Sequence, residues 1–194
     1  MLGNLRISSK LLMMVALAAL GVIAVAGVGL SVLKDNLLED RKAKLQDIVL
    51  LARQTIANDF ESARKAGLSE DEARERAKPL LRSFRFGKED YFLAFDSKGV
   101  VTVHPNPKVE GKDLTNTPDS DGVYYTRQLV ELGKSGGGFV AYRFPRPGAS
   151  EPGPKISCST DFKPYGWVIA SGVYIDDVSA IFWQQVWRIG ALAA

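Results

Sequence analysis

A run of 23 residues without a charge, LLMMVALAALGVIAVAGVGLSVL, occupies Leu11 to Leu33 and governs what the rest of the chain can be. At about 1.5 Å per residue, a helix of this length crosses a hydrocarbon core of roughly 30 Å with some tilt. A cleaved signal peptide is the rival reading, since the small residues at Ala16 to Ala19 and Ala24 to Gly29 resemble a processing site. Signal-peptide cores run only about 7 to 15 residues, so an uncleaved anchor is predicted over 11–33. Arg6 and Lys10 precede it with no acidic neighbour, whereas the far flank, KDNLLEDRKAK, holds more basic residues. A long translocated domain escapes the positive-inside rule, so residues 1–10 are expected in the cytoplasm and the chain beyond 33 outside the inner membrane.

The other end, YIDDVSAIFWQQVWRIGALAA, begins polar, carries Trp183, Trp187 and Arg188, and turns apolar over its last six residues. Trp and Arg at such a junction suit the headgroup zone, so a second membrane helix is expected to begin over 181–194, the chain being the front portion of a longer protein whose cytoplasmic output region is absent. An amphipathic terminal helix is the alternative. The two apolar ends bracket a domain at 34–180.

A formal charge of +3 with no run of five basic residues gives no footprint for nucleic acid. Cys158 is the only cysteine and His104 the only histidine, so no intrachain disulfide, no Cys/His zinc site and no cofactor are expected.

From Lys34 the chain continues without Gly or Pro to Gly67, with apolar residues at Leu38, Leu45, Val49, Ala52, Ile56, Phe60 and Ala63. This spacing predicts a long helix with one apolar stripe, to be covered by the domain or by a second copy. Ser69 and Glu72 form a capping-box pattern that starts a second helix, continuing past Pro79 or kinking there. After Gly87 the period becomes two. YFLAFD, the turn SKG and VVTVH read as a hairpin, with Tyr91, Leu93 and Phe95 on one face and Val100, Thr102 and His104 sharing a face of the next strand. Residues 105–122, with three prolines, form a long loop of the kind that is usually functional. VYYTRQLVELGK is a short helix. FVAYRF, the tip PRPGASEPGP, KISCSTDF, the turn KPYG and WVIASGVY complete the strands. The architecture expected is α+β: a long N-terminal helix packed on an antiparallel sheet of about five strands, flanked by transmembrane helices.

The stretches YFLAFDSKGVVTVHPNPKVEGKDL and GGGFVAYRFPRPGASEPGPKISCSTDFKPYGWVIASGVYIDDV closely resemble the single Cache sensor domain, type 2, of bacterial chemoreceptors and sensor kinases. The likeness covers roughly residues 35 to 180. It implies a PAS-like sheet carrying a pocket, a small organic acid as ligand, and signalling through the membrane helices; the opening LGNLRISSKLLMM is similar to many chemoreceptors and tilts the reading to chemotaxis. A homodimer is expected. Cys158 stands where relatives usually carry Tyr, which would alter ligand preference if that ring lines the pocket.

A carboxylate leaves water only for charged or N–H and O–H donors. The strand reading offers His104, Lys155 and the hydroxyls of Tyr91, Tyr125 and Tyr142 as donors, with Trp167 as a wall; Arg85 and Arg143 are weaker candidates. Each also has a plain structural reading: His104 as a cap bonding the loop, Lys155 as a solvated hairpin-end charge, the aromatics as packing. Asp176 and Asp177 suit the start of the last helix, where exposed N–H groups favour negative charge. Two other functions compete with a receptor input: an enzyme with Cys158 as nucleophile and His104 as base, and a ligand-free dimerisation module.

Overall fold

The computed structural model describes residues 6–87, 90–146 and 149–193, without the side chains of 177–180 and 189–193. The expectations for residues 1–5, for Pro147 and Gly148 of the hairpin tip, for the Asp177 carboxylate and for the side chains of the last six residues lie outside that description. The chain divides into two units, 39–176 and 1–38 with 177–194.

Helix α1 (Ile7–Lys65) is continuous. Its first part holds an 18-residue window of mean hydropathy 2.7, and among the described residues it is the one helix long and apolar enough to cross a membrane. Within 39–176, Leu45, Val49, Ala52, Ile56 and Ala63 of the expected stripe are buried by the domain itself, and Phe60 is partly buried against the same layer. Gly67 at φ 80° ends the helix, a conformation that costs other residues more. Helix α2 (Glu70–Ser83) opens with the capping box: Glu72 N–H donates to Ser69 Oγ at 3.3 Å and Ser69 N–H to Glu72 Oε2 at 2.8 Å. It runs through Pro79 without ending there.

Six strands follow, all paired antiparallel: β1 (Arg85–Phe86), β2 (Asp90–Phe95), β3 (Val101–Val103), β4 (Gly138–Pro145), β5 (Pro152–Phe162) and β6 (Trp167–Tyr174), with α3 (Tyr125–Lys134) between β3 and β4 and α4 (Asp176–Ala193) last. The order is β1-β2-β6-β5-β4, with β3 also on β2. The strand beyond the expected five is β1, whose two residues are too short to carry a pattern. The β4–β5 ladder reaches Pro145 opposite Pro152, so the hairpin tip is shorter than the composition of PRPGASEPGP implies.

The sheet separates two apolar layers. Phe92, Ala94, Ile156, Cys158, Trp167 and Ile169 pack with the stripe of α1 and with Ala73, Ala77 and Leu81 of α2. On the opposite face Phe95, Val140, Val168 and Ala170 pack with Tyr125, Leu129 and Val130 of α3. Ala94 pairs with Val103 and Phe95 with Val101, leaving Thr102 as the extra residue of a bulge, its Oγ1 donating to Ala94 O at 3.1 Å. Strict alternation puts His104 with Val100 and Thr102; the bulge instead places it with Val101, on the α3 side.

Candidate functional site

Between the sheet and α3 lies a hollow of about 30 Å³. Tyr91, Leu93 and Phe95 of β2, Tyr142 and Phe144 of β4 and Lys155 of β5 form its floor, Tyr125, Thr126 and Leu129 of α3 one wall, and His104, Val109 and Leu114 of the loop the other. The loop is pinned at both ends. His104 N–H donates to Glu110 Oε1 at 2.8 Å, and Arg82 of α2 holds the same carboxylate at 2.8 and 3.0 Å. Asp119 Oδ2 accepts from Arg143 N–H of β4 at 2.7 Å.

Lys155 is the central group. Its Cα partners are Tyr142 on β4 and Tyr174 on β6, so both neighbours present a ring beside it. The ammonium stands 4.6, 5.0 and 5.3 Å from the centroids of Tyr91, Tyr174 and Phe144, a cation cage of three aromatics. The side chain is 3% exposed, and among the described residues no carboxylate pairs with it. Burial drags its pKa down to about 8. It is therefore a buried ammonium, not the solvated hairpin charge.

Gly172 makes the room. A Cβ there would stand 2.0 Å from Ser157 Oγ, 2.7 Å from Lys155 Cε and 3.0 Å from Ile156 O. Gly172→Ala is accordingly expected to destabilise the chain by about 2 kcal/mol and to push the ammonium out of place. Thermal melting with and without a bound acid checks both, and an unchanged variant would refute the packing argument.

His104 makes the loop contact expected of a cap, accepting Asn106 N–H at Nδ1 over 3.0 Å. That bond places the proton of the neutral ring on Nε2, which has no partner among the described residues. Burial holds the imidazole pKa below its ordinary value, so the ring stays a neutral donor. The Tyr91 ring meets it edge-on at 5.1 Å. Tyr125 stacks on Tyr142 at 4.5 Å with 7° between planes, and Tyr142 OH shares a hydrogen bond of 2.8 Å with Ser157 Oγ. Burial raises the pKa of Tyr91, Tyr125 and Tyr142, keeping all three as neutral hydroxyls.

Five of the six candidates thus meet at one hollow, and Trp167 does not. Its ring packs at 4.9 Å on Tyr165 in the layer facing α1. Trp167 and Tyr174 lie an odd number of residues apart on β6, so a strand that turns Tyr174 toward Lys155 must turn Trp167 away. The same parity on β5 puts Cys158 opposite Lys155, against α1, where burial pushes the thiol up to about 11. Cys158 therefore lines no part of the hollow and forms no dyad with His104. Arg85 Nη1 is engaged by the carbonyls of Arg82 and Phe84, and Arg143 by Asp121. Sequence reasoning missed Thr126, Phe144, Tyr174 and Gly172. Phe144 was reachable, being two residues beyond Tyr142 on the same strand face.

A larger groove of about 500 Å³ lies between α1 and the β1–β2 side, lined by Ile48, Leu51, Ala52, Phe84, Phe86 and Phe92 among others. It is apolar and gathers few donors. The small hollow instead gathers a buried cation, an imidazole and three phenols.

The chain is 34% identical over 188 residues to the methyl-accepting chemotaxis protein McpP of Pseudomonas putida, covering 95% of this chain and 34% of that one. It is 29% identical over 148 residues to the sensor histidine kinase MctS of Rhizobium johnstonii, covering 76% and 32%. The chain thus spans about one third of the length of these curated relatives. A solved Cache chemosensory domain, described by its recognition of carboxylic acid, superposes with a TM-score of 0.66 at 36% identity, covering 73% of this chain and 97% of that domain. The sheet and the helix laid across it are those of solved Cache domains, and with the profile of Single Cache domain 2 matching residues 37–188, the chain belongs to that family.

Proposed function

We propose that the chain is the sensing region of a transmembrane chemoreceptor, in which the hollow beneath the 104–123 loop binds a short organic acid as its carboxylate. The observation that carries this reading is Lys155: an ammonium 3% exposed and unpaired among the described residues. A buried charge without a counterion is costly, and an anion supplies what the fold withholds. His104 Nε2–H and the Tyr91 and Tyr125 hydroxyls supply hydrogen bonds around it. A hollow of about 30 Å³ has room for roughly two waters, so acids of two or three carbons enter with the least rearrangement.

In this reading residues 1–10 are cytoplasmic, 11–33 anchor the chain in the inner membrane, 34–180 lie in the periplasm, and 181–194 begin a second membrane helix. Signal leaves through Tyr174, whose ring touches the ammonium and which stands two residues before Asp176, the first residue of α4. The ligand must favour one arrangement of that strand end over another. A second copy is the expected partner, since Leu50 and Leu51 of α1 stay exposed beside the apolar groove. A sensor-kinase output is the second reading, favoured by the likeness to MctS.

Titration calorimetry of the full chain in lipid nanodiscs against formate, acetate, propionate, butyrate and succinate tests the proposal. Saturable binding of acetate or propionate is expected, with acids of four carbons bound at least about tenfold more weakly. Failure of every short acid to bind removes the reading.

A further inference from the structure

We propose that the Thr126 hydroxyl reads a second oxygen on the ligand, so that the hollow prefers short acids bearing a hydroxyl or keto oxygen beside the carboxylate over unsubstituted acids of the same length. This rests on the carboxylate reading above and adds a residue that selects among carboxylates.

Thr126 is fully buried and lines the hollow, and among the described residues its Oγ1 has no hydrogen-bond partner of good geometry. The buried serines on this face are both engaged: Ser157 bonds Tyr142 OH at 2.8 Å and Ser159 donates to Leu129 O at 2.7 Å. Buried polar groups in folded proteins are satisfied with few exceptions, so a lone orphan inside a donor-lined hollow points to a partner that arrives from outside.

Local structure cannot supply that partner. A threonine inside a helix can bond the carbonyl four residues back, but Thr126 is the second residue of α3 and has no preceding turn. The N-cap, Tyr124, makes no side-chain bond either, so the first turn offers donors without a competing acceptor. The Tyr125 hydroxyl lies close enough for Thr126 to favour its ionised form, although no hydrogen bond of good geometry joins them. Two neighbouring hydroxyls on the α3 wall therefore face a hollow whose floor holds Lys155. With a carboxylate at the ammonium, an acid of two or three carbons can carry its second oxygen only one or two atoms away. That oxygen would meet Thr126.

Propionate, 2-hydroxypropanoate and 2-oxopropanoate differ only at the second carbon, and calorimetry of the full chain in nanodiscs compares them directly. The wild type is expected to bind at least one substituted acid about tenfold more tightly than propionate. Thr126→Val, which keeps the shape and removes the hydroxyl, is expected to bring that ratio to within about twofold, and Thr126→Ser to retain it. The inference is overturned if the wild-type ratio is near one, if the valine variant keeps the ratio, or if that variant binds none of the three. Wild-type binding of propionate without preference would sink this inference alone, whereas no binding of any acid would sink the carboxylate reading with it.

Discussion

Replacing Lys155 by methionine is expected to abolish binding of short acids while raising the unfolding temperature of the chain. Most binding-site substitutions lower stability or leave it unchanged, so opposite signs in the two measurements identify a charge held for function. Burial takes the lysine from 10.5 to about 8. Each pKa unit corresponds to about 1.4 kcal/mol, so charging this side chain in the fold costs about 3 kcal/mol before compensation. The rings of Tyr91, Phe144 and Tyr174 around the ammonium recover part of that. A net gain of about 1 to 2 kcal/mol remains for methionine, a few degrees in a domain of this size. The gain depends on pH. The folded lysine loses its proton near 8 and the unfolded one near 10.5, so the penalty is fully present below 8 and disappears between the two values. Wild-type stability should climb toward the variant's across that window. Binding should fall at least about a hundredfold, because the acid would be buried without its cation. A methionine variant that melts earlier than wild type, or still binds acetate or propionate with similar affinity, would show that Lys155 has a packing role only.

The elements were largely legible because their signals are local: the stripe on α1, the Ser69–Glu72 box and the alternation of Tyr91, Leu93 and Phe95 each depend on neighbouring residues. Residue type alone singled out the five donors that the fold brings to one hollow. Faces were harder. His104 lies with the other donors because Thr102 is extruded from the β2–β3 pairing, and nothing in VVTVH announces a bulge. Trp167 and Cys158 could have been placed by parity from Lys155, had the β5–β6 register been known; register belongs to the pairing of distant segments. Thr126 and Gly172 carry no pattern at all. Their importance comes from what the fold brings against them, a closed wall in one case and a lysine stem in the other.

Affinity for the acid is expected to be flat from about pH 6 to 7.5 and then to weaken roughly tenfold by pH 9 and a hundredfold by pH 10, because only the protonated lysine binds and each unit above its pKa of about 8 removes a further factor of ten. No other candidate donor competes for this window. The three tyrosines are pushed above their ordinary range by burial and remain hydroxyls. His104, held below its ordinary value by burial, takes up no proton in the alkaline range where the lysine titrates, and its Nδ1 is occupied by Asn106 N–H. Two outer charges bear on the lysine, Asp90 raising its pKa and Arg146 lowering it, after the larger effect of burial. Arg146→Gln should therefore move the break point upward without removing it, a shift that a global unfolding transition would not reproduce. Calorimetric titrations from pH 6 to 10, with melting curves to establish that the chain stays folded, decide the matter. Affinity constant to pH 10 would mean that the anion is held by neutral donors, and the ammonium would lose its assigned role.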